Sequence, residues 1–255
     1  MTGNSTRLLV QPRDRELLQQ ISICRIVDRE QVKHLGHFGS TTRANVRLLK
    51  LTRAGLLRRY FSGSAGGPKA LYTLTTKGAV VGNAAETSVV RSPDQLLIGD
   101  VFVEHQLALN SVYIAIFRNL PAEAGVQGWR TFRLPLSSAV ALTPDGYFEI
   151  VSNGLVRPMF LEVDLGTETL SIWKKKIELY LKLATAGEFQ NSFGHDHFSV
   201  LVVTASNRRI QSLRNLVFRY TQKVFWFSNI KIIQSEGFWA PVWLRPDGAQ
   251  GPSQL

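Results

Sequence analysis

Apolar residues recur at three- and four-residue intervals in three early segments of the chain, and this spacing predicts three helices. The first follows Pro12, the second begins at Asp28 and the third runs from near Ser40 to Gly55. Two short apolar runs, LLRRYF and ALYTLT, come next and are joined by SGSAGGP, which predicts a β-hairpin. The run TTKGAVV predicts one more helix. The first eighty residues are therefore expected to form a small helical unit with a hairpin.

The pattern changes after Gly82, where the small and polar run NAAETSVVRSPD predicts a linker. A long helix is expected from about Gly99 to Leu120. The strand-like segments GWRTFRL, DGYFEIV and PMFLEVDL follow, and then a lysine-rich helix, the strand FSVLVVTA and further elements. This order predicts a mixed sheet flanked by helices. We expect two domains, at residues 1–85 and 95–247, and a flexible tail at residues 248–255.

The positive charge is concentrated in the first domain. The chain carries a formal net charge of +11, and residues 1–80 hold 14 Lys/Arg against 4 Asp/Glu, a net charge of +10. Residues 81–255 hold 16 against 15, a net charge of +1. A basic module joined to a nearly neutral one indicates binding to a polyanion, and double-stranded DNA is the expected partner.

The third predicted helix has one apolar and one basic face. Ala44, Leu48, Leu51 and Gly55 share the apolar face. Arg43, Arg47, Lys50 and Arg53 lie on the opposite face, which could enter a major groove. The hairpin could contact the flanking DNA through Arg58, Arg59 and Lys69. Three helices followed by a hairpin is the order of a winged helix-turn-helix, although this fold also serves as a protein-docking module.

Other features narrow the class of protein. Cys24 is the only cysteine, so no intrachain disulfide is expected, and a reducing, cytoplasmic location is the simplest interpretation. No run of 18 apolar residues is present and the first residues lack the layout of a signal peptide, so no membrane association is expected. His195 and His197 could form a metal pair, but a polar loop is the favoured interpretation.

Carboxylates interrupt an apolar strand in the second domain. In PMFLEVDL, Leu161 and Val163 share one face, whereas Glu162 and Asp164 share the other. Asp145 begins the preceding strand. Three carboxylates on neighbouring strands could share one cation, and oxygen ligands suit Mg²⁺ or Mn²⁺.

A lysine lies on the apolar side of the following helix. Lys176 falls between Leu183 and Tyr180 on a helical wheel. An isolated buried ammonium is costly, so we expect Lys176 to pair with the acids of the preceding strand. The same residues are compatible with a metal site or with a buried ion-pair network that fixes the packing of strand and helix.

These residues resemble the core of PD-(D/E)xK nucleases. The resemblance implies that Asp145 and Glu162 hold a metal ion, and that Glu104 supplies an additional acid on the first helix. Asp164 stands where that family normally has its lysine, and Lys176 would take the lysine's place. The resemblance thus implies a restriction-endonuclease-like fold with a catalytic set composed of Asp145, Glu162, Asp164, Lys176 and Glu104.

A more specific resemblance extends over almost the whole chain. A winged helix, HQLALN, TPDGYF, FLEVDLGTE and Lys176 with Tyr180 four residues later resemble the replication-relaxation family. This resemblance implies a DNA-binding protein acting in replication, relaxation or mobilisation of a plasmid or mobile element, with replication or mobilisation proteins as possible partners. One alternative is a Mg²⁺- or Mn²⁺-dependent DNA endonuclease. Another is a winged-helix transcription regulator, whose inactive second domain forms a homodimer.

Overall fold

The computed structural model describes residues 8–62, 69–84 and 100–249, which form two compact units. The division between the units falls between Ile114 and Ala115. Most of the predicted hairpin loop, of the predicted linker and of the predicted tail lies outside the described residues. The architecture is mixed α and β, with a three-stranded and a five-stranded sheet.

The first unit contains the predicted helices and hairpin. Its elements are α1 (Pro12–Cys24), β1 (Val27–Asp28), α2 (Arg29–Leu35), α3 (Thr41–Arg53), β2 (Leu57–Ser62), β3 (Lys69–Leu74), α4 (Thr76–Val81) and the first part of α5 (Asp100–Phe117). Asp28 and Ser40 cap α2 and α3 by accepting hydrogen bonds from the backbone N–H groups of Gln31 and Arg43. The strands pair antiparallel in the order β1-β3-β2.

Helix α5 packs largely within the first unit, whereas the sequence assigned the whole helix to the second domain. The side chain of Asn110 donates a 2.6 Å hydrogen bond to the backbone oxygen of Ile26. Gln31 on α2 donates a 2.7 Å hydrogen bond to the backbone oxygen of Leu107, and Val103 packs against Ile26 and Leu71. Buried amides and apolar contacts therefore tie residues 100–114 to the first unit.

The second unit is built on a five-stranded mixed sheet. Its elements after α5 are β4 (Ala124–Arg130), β5 (Gly146–Ser152), β6 (Leu155–Asp164), α6 (Leu170–Thr185), α7 (Glu188–Phe193), β7 (Ser199–Thr204), α8 (Asn207–Phe218), β8 (Phe225–Asn229) and α9 (Ile230–Glu236). The strand order is β4-β5-β6-β7-β8; β4, β5 and β6 pair antiparallel, and β6, β7 and β8 pair parallel.

Two strand predictions in this unit differ from the structure. The segment GWRTFRL was expected to be a strand, but β4 begins earlier and ends at Arg130. A register irregularity between Gln127 and Arg130 includes Gly128 at a φ of 69°, and it interrupts the pairing. The run KVFWFSNIKII is divided, because Asn229 ends β8 and its side chain caps α9. Local apolar content did not distinguish the strand from the helix that follows.

The core of the second unit lies where α6 and α8 cover one face of the sheet. This core combines buried side chains from both helices and from the strands, including Trp173, Ile177, Leu213, Phe160 and Phe227. Glu162 and Asp164 alternate with Leu161 and Val163 along β6 and therefore share the face of Phe160. The apolar packing thus encloses two acids beneath the helices. No helix in the described part of the chain combines the length and apolarity needed to cross a membrane.

Candidate functional site

Glu162 is the centre of a buried polar cluster between β6 and α6. Its side chain is 1% exposed. Lys176 Nζ donates to Glu162 Oε2 at 2.8 Å, and the hydroxyl of Tyr180 donates to Glu162 Oε1 at 2.6 Å. Lys176 Nζ also lies 2.8 Å from Glu168 Oε1. The expected pairing of Lys176 with a strand carboxylate is confirmed, and one ammonium bridges two acids.

The helix spacing explains why these groups meet. Lys176 and Tyr180 are four residues apart on α6, so they lie on one side of the helix in successive turns. Thr169 caps the start of α6 by accepting a hydrogen bond from the N–H of Ile172. The cap fixes the helix directly after the loop that carries Glu168. A strand, a loop and a helix close in sequence therefore supply the whole Glu162 cluster.

The electrostatics of the Glu162 cluster are dominated by burial. Burial raises the pKa of Glu162 to about 7, against the opposing effect of the Lys176 ammonium. The pKa of Lys176 is also raised: burial lowers it, but Glu162 and Glu168 more than offset that effect. Burial and the charge of Glu162 raise the pKa of Tyr180, which therefore donates as a neutral phenol. Glu162 is the group in this cluster whose charge changes near neutral pH.

Asp145 lies close to Glu162 and Val163, beside the end of β6. The negative charge of Asp145 contributes to the raised pKa of Glu162. Asp145 Oδ2 accepts a 2.7 Å hydrogen bond from the backbone N–H of Val163, between the two acids of β6. Asp145 therefore holds the beginning of β5 against the end of β6.

Asp164 has a separate set of partners that the sequence analysis did not find. Arg209 donates to Asp164 Oδ2 from Nε at 3.1 Å and from Nη2 at 2.6 Å, and the indole N–H of Trp173 donates to the same oxygen. The N–H of Gly166 donates to Asp164 Oδ1 at 2.5 Å. The expectation that Lys176 pairs with both acids of β6 is therefore corrected: it pairs with Glu162 and not with Asp164. Asp164 is neutralised by an arginine on α8.

Hydrogen bonds among the described residues already use the oxygens of Glu162 and one oxygen of Asp164, so a metal ion held by Asp145 and Glu162 stays a prediction. Both oxygens of Glu162 accept hydrogen bonds from Lys176 and Tyr180, and Asp164 is occupied by Arg209. Glu168 Oε2 is buried without a hydrogen-bond partner among the described residues, but one free oxygen does not make the six-coordinate shell of Mg²⁺. The described residues contain no group of three or more His, Cys, Asp or Glu side chains arranged to hold a metal ion.

Glu104 is exposed on α5 in the first unit, and Asp145, Glu162, Asp164 and Lys176 belong to the second unit. The part of Glu104 in the catalytic set stays a prediction. Helix α5 turns its buried polar side chains, Gln106 and Asn110, toward the first unit.

A further buried carboxylate, Glu149 on β5, was also missed from the sequence. Tyr147 donates to it at 2.7 Å and Gln127 at 2.9 Å, and His195 Nε2 lies 3.3 Å from Glu149 Oε1. Burial raises the pKa of Glu149, but the hydrogen bonds from Tyr147 and Gln127 offset this and leave the pKa below its ordinary value. The alternation in GYFE indicates that Tyr147 and Glu149 share one face of β5. The contact with Gln127 could not be predicted in the same way, because it depends on the register between β4 and β5.

The outward face of α3 carries the predicted basic residues with one exception. Arg43, Lys50 and Arg53 are exposed. Arg47 is not, because its guanidinium binds the buried carboxylate of Asp14 on α1 and its side chain is 11% exposed. Its assignment to the free basic face is therefore corrected. Arg47 compensates a buried charge within the unit.

The basic residues of the hairpin differ in whether their charges are paired within the protein. Lys69 lies 2.5 Å from Asp28, the residue that caps α2, so its charge is paired. The guanidinium of Arg59 stacks 5.2 Å from the ring centroid of Phe61, and Arg58 donates to the hydroxyl of Tyr60 at 3.3 Å. Arg58 and Arg59 are exposed on β2 and remain available at the surface.

The protein is a mixed α and β protein of two units. Residues 1–80 of the first unit carry most of the positive charge, and the second unit contains buried acids that are neutralised by cations. The chain belongs to the replication-relaxation family, whose model matches residues 18–196. The match includes α3 and the Glu162 cluster, and it ends before Arg209. Membership indicates a general role in plasmid replication or relaxation. No curated protein and no solved structure matches the chain.

Proposed function

We propose that the protein binds double-stranded DNA and acts in replication, relaxation or mobilisation of a plasmid or mobile element. In this proposal the first unit is a winged helix-turn-helix, and α3 enters the major groove. The second unit is a nuclease-like fold whose acid cluster serves structure. Replication or mobilisation proteins, or a second copy of the chain, are the partners that such a protein would assemble with.

The observation that carries the proposal is the outward face of α3. Helix α3 has four basic residues and no acidic one. Three of the four are exposed, while Ala44, Leu48 and Leu51 anchor the opposite face in the core. Cations held in a row on a rigid helix match the phosphates and guanine edges of a major groove. Arg58 and Arg59 on β2 add charge on the hairpin.

Binding is favoured over phosphodiester hydrolysis by the bonding of the acids. Asp145, Glu162 and Lys176 lie at one corner of the sheet, and Glu162 and Asp164 are already neutralised by Lys176 and Arg209. A catalytic metal would have to share these carboxylates with the two cations. The endonuclease alternative is tested by nicking of supercoiled DNA in Mn²⁺. Nicking that Glu162→Gln abolishes would replace our proposal with that alternative.

The test of DNA binding compares two variants that lose equal charge. The first removes the exposed cations of α3 through Arg43→Ala, Lys50→Ala and Arg53→Ala. The control removes three exposed cations from α1, α2 and α4 through Arg15→Ala, Arg29→Ala and Lys77→Ala. Fluorescence anisotropy with a labelled random-sequence 30-base-pair duplex measures Kd from 50 to 200 mM salt.

We expect the α3 variant to lose most of its affinity. Each cation that no longer binds a phosphate should lower the salt slope by about 0.9, and each cation that no longer binds a base edge should cost about 1–3 kcal/mol. The control variant should bind nearly as the parent does. Equal losses of affinity in both variants would show that the net charge of the unit, rather than α3, binds the duplex.

A further inference from the structure

Two exposed apolar side chains interrupt the basic face of α3. Val46 is 50% exposed and Leu49 is 42% exposed. The helix already buries an apolar face on its inner side through Ala44, Leu48 and Leu51. Val46 and Leu49, three positions apart, form a small second apolar patch that is bordered by cations.

The position of Val46 is central on the outward face. At 100° per residue it lies roughly 200° from Ala44, which is fully buried. Arg43 precedes it by three positions and Lys50 follows it by four, so all three share one side of the helix. At 1.5 Å per residue, the seven positions from Arg43 to Lys50 span about 10 Å, the length of roughly three base pairs.

The chemistry of the side chains selects among the base edges of a major groove. Valine and leucine neither donate nor accept hydrogen bonds, so they leave the polar atoms of guanine, adenine and cytosine without partners. The C5-methyl group of thymine is the apolar group that a base pair presents in this groove. The flanking cations are complementary to the phosphates on either side, and α3 has no acid to repel them.

We propose that Val46, with Leu49 beside it, contacts thymine methyl groups, so that the DNA target carries thymine between the phosphates contacted by Arg43 and Lys50. This inference rests on the proposed DNA binding and adds a specificity determinant to it. The occupant of the apolar patch is the duplex itself, in an A·T-containing step of the recognised site.

The experiment begins with selection of a binding site from a random duplex library by the full chain. Each thymine of the selected site is then replaced singly by deoxyuridine, which removes only the C5-methyl group. Kd is measured for the parent, for Val46→Ala and for Val80→Ala. Val80 is the matched control, because it is an exposed valine (76%) on a different helix, α4.

We expect one or two deoxyuridine positions to weaken parent binding about fourfold, the factor that corresponds to about 0.8 kcal/mol for one buried CH₂-sized group. For Val46→Ala the ratio between thymine and deoxyuridine duplexes should fall to about 1 at those positions. For Val80→Ala the parent ratio should persist. Val46→Thr, which keeps one methyl group, should retain part of the discrimination.

Three results would overturn the inference. Tight binding that no deoxyuridine substitution weakens would rule out the methyl contact but not DNA binding. A sensitive thymine that remains sensitive in Val46→Ala would assign the contact to another residue. Failure to select any site, together with no effect of the triple α3 variant on random DNA, would refute the proposed function itself, and the patch would then belong to a protein interface.

Discussion

Lys176→Met tests whether the Glu162 cluster is a structural ion-pair network. The substitution keeps the length and most of the volume of the side chain but removes the ammonium. Glu162 then loses a partner at 2.8 Å and keeps only the hydroxyl of Tyr180. Glu168, 31% exposed, also loses its partner but can be hydrated.

The magnitude follows from the burial of the pair. Breaking a buried ion pair by removing one partner costs about 3–5 kcal/mol. Lys176 is 20% exposed, and water screens part of its charge, so we expect the lower end, about 3 kcal/mol. For a unit of about 150 residues this corresponds to a decrease in Tm of roughly 6–12 °C.

The loss of stability should also depend on pH. Burial raises the pKa of Glu162 to about 7, above the value of about 4.3 in an unfolded chain. The folded state therefore binds this proton more strongly, and stability falls as the pH rises from about 4.3 to 7. The Lys176 ammonium limits that fall. Without it the pKa of Glu162 rises further, so the deficit of Lys176→Met should be larger at pH 8 than at pH 5.

Tryptophan fluorescence isolates this unit during urea unfolding. All five tryptophans lie in the second unit, and Trp173 packs directly beside the Glu162 cluster. The control is Lys174→Met, since Lys174 is 56% exposed on the same helix and lies 4.0 Å from Glu178. We expect the control to change stability by less than about 0.5 kcal/mol.

Two outcomes would refute this reasoning. Equal, small decreases in stability for Lys176→Met and Lys174→Met would mean that Glu162 needs no cation in the folded protein. Rescue of the Lys176→Met deficit by Mg²⁺ or Mn²⁺, reversed by a chelator, would mean that a metal ion binds the acids. That result would restore the metal-dependent interpretation of Asp145 and Glu162.

Two further predictions concern the other buried acids. Arg47→Ala should destabilise the first unit by about 3 kcal/mol, because it leaves the buried Asp14 uncompensated, whereas Arg43→Ala should cost less than about 0.5 kcal/mol; far-UV circular dichroism of thermal unfolding measures both, and equal costs would contradict the ion pair. Glu149 has a lowered folded pKa, so its contribution is present above about pH 4.3 and is lost as the pH falls. In Glu149→Gln the free energy of unfolding should therefore fall less steeply between pH 5 and pH 3, as measured by fluorescence-monitored urea unfolding. An unchanged slope would refute a stabilising role for the Glu149 carboxylate.

The sequence determined the features that depend on neighbours within one turn or one strand. The periodicity around Pro12, Asp28 and Ser40 predicted helices that the structure confirms, because capping and helical spacing are local. An acidic partner for Lys176 could also be predicted from the sequence, because the helical wheel places its charge among apolar side chains. Two of the motifs that carried the family resemblance, EVDLGTE and the Lys–Tyr spacing, lie within one strand, loop and helix.

Only the tertiary structure decided which distant groups pair. Asp164 meets Arg209 because β7 runs parallel to β6. The two strands therefore end on the same side of the sheet, and α8 begins there, next to the end of β6. Arg47 leaves the outward face of α3 because α1 brings Asp14 beneath it. Helix α5 joins the first unit because Gln31 and Asn110 bond across about eighty residues of sequence. Helical and strand periods indicate which face is buried, but the register and packing of remote elements select the partner.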